Sequence, residues 1–338
     1  MKIVIVTDAW HPQVNGVVTT LTSLARVLRQ TGHAVRFITP SDFVSLPCPT
    51  YPDIRLALGP RVRVGKMLAE TSADAIHIAT EGPLGWAARA YCLAHGLRFT
   101  TAYHTRFPQY LRLRAPVPIS WSYALLRRFH APATRTLVAT PSLRDELAKR
   151  GFAHLALWSR GVDSGLFRPR CKGFLDGPRP ISMYVGRVAV EKNIEAFLDL
   201  NIPGTCYVVG DGPDAARLKA RYPNVRFTGF CSGEDLARHV AAADCVVFPS
   251  RTDTFGLTML EAMACGVPVA AYPVTGPRDV ITDGVTGALD EDLGRAWHRA
   301  VSVSPDNCIA YARTRSWDAC AQQFLNNLAD PIRQSNTA

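Results

Sequence analysis

The chain has 338 residues, 47% hydrophobic and 20% charged, a balance that excludes a disordered protein and suits two α/β domains. No apolar run reaches the length needed to span a bilayer, and the start, Met1-Lys2-Ile3-Val4-Ile5-Val6-Thr7-Asp8, reads as a buried strand and not as a secretory signal. A cytoplasmic protein able to rest on a membrane is therefore expected. Its nine cysteines are scattered without a Cys-x-x-Cys pair, which points to free thiols in a reducing compartment and not to zinc or disulfides.

Strands and helices alternate nearly throughout. Residues 2–7 form a short apolar strand, a loop with Pro12, Asn15 and Gly16 follows, and residues 17–30 place Val18, Leu21, Leu24, Ala25 and Leu28 at helical spacing. Gly32 closes this helix and residues 34–39 are the next strand, a βαβ unit that predicts a parallel sheet. Further strands are predicted at 75–79, 99–103, 137–140 and 155–158, with a helix at 86–94. Residues 161–180 carry Gly, Pro, Lys and Asp with little periodicity and read as an interdomain linker. A second series has strands at 181–185, 205–209, 225–228, 245–248 and 267–270, with helices at 194–200, 214–221, 233–242 and 258–265. A last helix is expected at 315–328. The expected organisation is an N-terminal domain over 1–165, a second domain over 166–314 and a closing helical segment over 315–338.

The charge is uneven. Residues 1–165 hold 20 Lys and Arg against 9 Asp and Glu, whereas residues 166–338 hold 18 against 19. Between Glu81 and Asp145 lie nine arginines (Arg89, Arg98, Arg106, Arg112, Arg114, Arg127, Arg128, Arg135 and Arg144) and no acid. Phe99, Tyr103, Phe107, Tyr110, Trp121, Tyr123 and Phe129 interleave with them. An anionic membrane surface, a nucleic-acid groove and a solvated basic face would each suit this pattern.

Several loops carry chemistry. Gly16 opens a helix after the first strand, where exposed amides and the helix dipole favour a phosphate. Arg187 and Lys192 flank the loop that follows strand 181–185, and two cations at such an edge neutralise a diphosphate. Gly210 and Gly212 allow a tight turn or a close approach to a nucleotide, and Asp211 or Asp214 is placed to cap the next helix. The run from Ser250 to Val269 is the most informative. Asp253 sits in its loop, the amides of Phe255, Gly256 and Leu257 lie at a helix start, and Glu261 stands one turn on among Leu260, Ala262, Met263 and Ala264.

Together these blocks resemble glycosyltransferase family 4, the retaining GT-B enzymes with two Rossmann-like domains. Asp253 to Glu261 is similar to the family's Glu-x7-Glu motif, with Asp at the first position. Gly186-Arg187, Glu191-Lys192-Asn193, Gly210-Asp211-Gly212-Pro213 and Gly266-Val267-Pro268-Val269 match its flanking blocks. The resemblance implies that Arg187 and Lys192 hold the donor diphosphate, Glu261 the ribose and Asp253 the transferred sugar. It also implies that Gly16 and Gly210 approach the donor, and that His104 lies beside the reacting sugar in an interdomain cleft. Asp8, Glu81 and Arg106 are candidate acceptor-side residues. Same-face substitution without cofactor or metal is implied, and no clustered carboxylate or His set is seen. Asp8 with Pro12 to Val18, His104 to Leu111 and Arg160 to Asp163 look like a branch of diacylglycerol glycosyltransferases, sulfoquinovosyltransferases and GDP-mannose-dependent α-mannosyltransferases. The expected partners are a nucleotide-sugar, with UDP-glucose or UDP-glucuronate favoured over GDP-mannose, a lipid acceptor such as diacylglycerol, and an anionic membrane surface, with no nucleic acid.

Overall fold

The computed structural model describes residues 1–48, 51–112 and 117–329; Arg114 lies outside them. Residues 1–159 and the chain from Asp318 onward form one compact unit, and Arg160–Trp317 form another. The first contains β1 (Lys2–Val6), α1 (Gly16–Gln30), β2 (Ala34–Ile38), β3 (Ser45–Cys48), β4 (Tyr51–Ala57), α2 (Arg61–Thr71), β5 (Ala75–Ile78) and α3 (Pro83–Ala94). It continues with β6 (Thr100–Tyr103), α4 (Phe107–Arg112), α5 (Ile119–His130), β7 (Arg135–Val138), α6 (Pro141–Lys149) and β8 (Leu155–Leu157). Six strands form a parallel sheet in the order β2-β1-β5-β6-β7-β8, beside an antiparallel β3–β4 pair.

The second unit contains β9 (Ile181–Val185), α7 (Glu195–Leu198), β10 (Thr205–Val209), α8 (Ala215–Arg221), β11 (Arg226–Gly229), α9 (Gly233–Ala242) and β12 (Cys245–Phe248). Then come α10 (Leu257–Ala264), β13 (Val269–Ala271), α11 (Pro277–Val280), β14 (Gly287–Leu289), α12 (Leu293–Ala300) and α13 (Pro305–Arg313). Its sheet is parallel throughout, in the order β11-β10-β9-β12-β13-β14. The strand cores are continuous apolar runs, as sheets covered on both faces require: all of β9 and β12 is buried. Residues 161–180 are no free linker. Val162 N donates to Arg315 O at 2.9 Å, Val162 bridges to Ser316, and Phe167 is buried. Backbone pairing with the end of the same unit supplies the order that the sequence pattern lacks.

α14 (Trp317–Asn327) closes the chain. Its Phe324 is fully buried, with ring centroids 4.9 Å from His77 on β5 and 5.1 Å from Trp158. Trp158 Nε1 donates to Cys320 O at 3.2 Å, so the indole satisfies its one polar atom on this helix. Phe324→Ala should cost about 3–5 kcal/mol in urea unfolding of the intact chain. A loss under about 1 kcal/mol would show that the helix contributes little to this core.

Candidate active site

In the second unit the chain proceeds from β9 to β10 on one side and from β12 to β13 on the other, so the loops after β9 and β12 diverge at a topological switch point. The sequence-predicted residues Arg187 and Lys192 fall on the first loop, and Asp253, Phe255 and Gly256 on the second. Side chains stitch these loops together. Lys192 Nζ donates to Asp253 Oδ1 at 2.6 Å, Asn193 Nδ2 to Pro249 O at 3.1 Å, and Thr252 Oγ1 to Glu191 O at 3.1 Å. Asn193 and Thr252 carried no expectation. Asn193, at φ 53°, is the left-handed residue that turns the chain there, a role open to Asn more than to most residues.

Gly256, at φ 90°, precedes α10, whose first residue is Leu257. Among the described residues, the amides of Phe255, Gly256 and Leu257 donate to no other group of the chain. They form an N-terminal cluster of the kind that receives an anion. Asp253 Oδ2 is buried without a hydrogen-bond partner. Glu261 is half-buried on α10, and desolvation pushes its carboxyl up from 4.5 to about 7. Gly210 makes a close backbone approach within the sheet edge. A Cβ there would lie 1.9 Å from Gly186 O, so its missing side chain lets the loops after β9 and β10 touch. Asp211 Oδ1 accepts from its neighbour Gly212 N, and Asp214 makes no side-chain cap bond to α8.

The first unit spends several of its candidates internally. Asp8 accepts from Thr80 Oγ1 at 2.8 Å, Leu84 N at 2.9 Å and Gly85 N at 3.3 Å. It therefore anchors the start of α3. Burial raises its pKa, against the lowering effect of these bonds. Arg106 is buried and ion-paired with Glu146 on α6, so its charge too is committed within the unit. Glu81 Oε1 lies 3.2 Å from His130 Nε2, and His130 Nδ1 lies 2.9 Å from Thr101 Oγ1. His104, buried after β6, packs edge-on to Trp158 at 5.6 Å. Gly16 begins α1, but the Val17 and Val18 amides already donate to Asn15 Oδ1 at 3.0 Å, leaving fewer amides for a phosphate than the sequence suggested. Among the described residues, one set with metal-ligand chemistry, missed in the sequence, lies elsewhere: Cys231, Asp235 and His239.

Residues 14–166 match the model described as Glycosyltransferase Family 4, and residues 179–302 match Glycosyl transferases group 1. A GDP-mannose-dependent alpha-mannosyltransferase of Mycobacterium tuberculosis is 31% identical over 97% of this chain and 96% of its own length. The chain belongs to glycosyltransferase family 4. An alpha-monoglucosyldiacylglycerol synthase of Streptococcus pneumoniae is 28% identical, covering 96% of the chain and 83% of the relative. The solved sucrose-phosphate synthase of Thermosynechococcus elongatus superposes with a TM-score of 0.76 at 22% identity, over 96% of this chain and 97% of that one. This glycosyltransferase thus has the GT-B fold, with one parallel-sheet Rossmann-like body in each unit.

The glycosyltransferase should show a pH signature from Glu261. Because its folded pKa is raised, its stabilising contribution is present below about 4.5 and is lost as pH rises through about 7. Glu261→Gln, neutral at every pH, should flatten the fall in Tm across that window, measured by thermal scans. An unchanged slope would show that the carboxyl titrates normally.

Proposed function

We propose that this glycosyltransferase moves a hexose, with retention, from a nucleoside-diphosphate sugar to a lipid-anchored acceptor at an anionic membrane surface, and that GDP-mannose is the donor. The carrying observation is the stitched switch point. Arg187 and Lys192 stand on the loop after β9, Asp253 and the unbonded amides on the loop after β12 and at the start of α10, and the desolvated Glu261 one turn into that helix. Arg187, Lys192 and the amides of Phe255, Gly256 and Leu257 meet the diphosphate. Asp253 faces the sugar hydroxyls and Glu261 the ribose, while Gly210 supports the loop beside them. His104 contacts the reacting sugar, and Glu81 serves the acceptor. The bond from the anomeric carbon to phosphate breaks as the acceptor oxygen bonds on the same face, and the acceptor's proton passes to the leaving diphosphate. Fixed cations and dipoles stabilise that leaving group, so the transfer runs without metal.

GDP-mannose is preferred to the UDP-glucose or UDP-glucuronate expected from the sequence because the Mycobacterium tuberculosis relative named for that donor shares nearly the whole chain. A UDP-hexose passing to diacylglycerol is the second reading, favoured by the Streptococcus pneumoniae relative. The membrane half rests on exposed apolar side chains among cations. On α5, Trp121 and Leu125 are 72% and 52% exposed beside exposed Arg127 and Arg128. On α2, Val62 is 87% exposed between exposed Arg61 and Arg63. Among the described residues no helix is long and apolar enough to cross a membrane.

The test supplies GDP-mannose, UDP-glucose, UDP-glucuronate and UDP-galactose to purified protein in lipid-containing micelles with chelator, and reads products by mass. A mannolipid is expected; a glycolipid from a UDP-sugar alone would replace the first reading by the second, and transfer only to soluble sugars would remove the lipid acceptor. Arg187→Ala should lower kcat about 10²–10³-fold. Trp121→Asp should reduce sedimentation with anionic liposomes at low salt and leave donor binding intact; unchanged sedimentation would remove α5 from the membrane contact.

A further inference from the structure

A second constellation in the nucleotide-side unit has chemistry that sugar transfer does not use. Cys231 lies in the turn after β11, the edge strand of the sheet, and Asp235 and His239 follow at intervals of four residues. That spacing places Asp235 and His239 on one face of α9, one turn apart, with Cys231 just ahead of the helix. One ligand atom from each residue lies within 4.8 Å of those of the other two. We propose that Cys231, Asp235 and His239 form a binding site for a thiophilic divalent metal ion of the zinc class.

The donor set decides the class of ion. A thiolate with an imidazole selects borderline and soft first-row ions over calcium or magnesium, and three protein ligands leave a fourth position for water. The side chains are already held close to that arrangement. His239 Nδ1 lies 2.8 Å from the Asp235 carbonyl and 3.6 Å from its carboxylate, and the ring packs edge-on against Phe174 at 4.9 Å. Nδ1 is thus the ring nitrogen that faces the carboxylate; it ligates when the ring carries its proton on Nε2, the ion then replacing the hydrogen bond to the carbonyl. Cys231 Sγ lies 3.6 Å from Thr228 Oγ1, so the thiol is steered by the end of β11. Burial and the Asp235 carboxylate raise the thiol's pKa. A divalent cation relieves both effects: it binds the thiolate, releases one proton to solvent and neutralises the neighbouring carboxylate. The bound ion would fasten the turn after β11 to α9. The cluster follows β11, two strands from β9 in the sheet order.

The probe is Co²⁺, followed by Zn²⁺ competition, on full-length protein stripped with chelator. One equivalent should bind with a thiolate-to-cobalt absorption band in the near ultraviolet, displaced by Zn²⁺, with a rise in Tm and binding that strengthens as pH increases. Cys231→Ser and His239→Ala should each abolish the band and the Tm rise, and Asp235→Asn should weaken both. Cys171→Ser, at an exposed cysteine of the same unit, should leave them unchanged. Circular dichroism of each variant separates lost binding from lost folding. A band that persists in Cys231→Ser, disappears in Cys171→Ser, or never forms in the folded wild-type protein overturns the site. Sugar transfer in chelator is a separate readout, so failure of the metal site leaves the proposed reaction standing.

Discussion

Parallel strand pairing in the second unit places every strand-to-helix loop at one edge of the sheet, and the strand order leaves two of those loops with no crossover between them. The loops after β9 and β12 therefore diverge, and the opening has to be held by side chains. Lys192 with Asp253, Asn193 with Pro249 and Thr252 with Glu191 do this holding. The same bonds place a lysine, an orphan carboxylate oxygen and the bare amides of α10 around one locus. A parallel sheet with another order would carry the same motifs without bringing them together.

The first unit follows the same topology but uses its polar groups differently. Asp8 anchors the start of α3, Arg106 joins the turn after β6 to α6, and His130 links the last turn of α5 to Glu81. Each bond satisfies a polar group that burial would otherwise penalise. Trp121, Leu125, Arg127 and Arg128 on α5 and Arg61, Val62 and Arg63 on α2 face outward, alongside the polar Ser120 and the acidic Glu70. Division of labour between the units is thus written in what each one leaves unsatisfied: amides and carboxylates in one, apolar and cationic side chains in the other.

Electrostatics reinforces this division. The excess positive charge lies in the first 165 residues, whereas the near-neutral remainder concentrates a few charges at the switch point. There, Glu261 is desolvated enough to titrate near neutrality, and the Lys192–Asp253 pair is only partly exposed. Partly buried charges are screened less by salt than those on α2 and α5.

The sequence by itself determined the α/β class, the strands of both parallel sheets apart from β14, and the family. Apolar strands and glycine-marked loops are local signals, and an ordered series of short motifs survives without knowledge of contacts. It did not reveal the β3–β4 pair or α2, α4, α5 and α6. Pro47 and Pro52 disguise the pair, and α5 exposes Trp121 and Leu125 while burying Tyr123, Leu126 and Phe129, so its pattern is not one-sided. Tertiary structure alone decided that Asp8 and Arg106 are internal partners, that Gly210 yields to Gly186 and that Asn193 ties two loops together. It also brought Cys231 beside Asp235 and His239. These facts depend on which loops become neighbours, and that is fixed by strand order, a property no local stretch of sequence encodes.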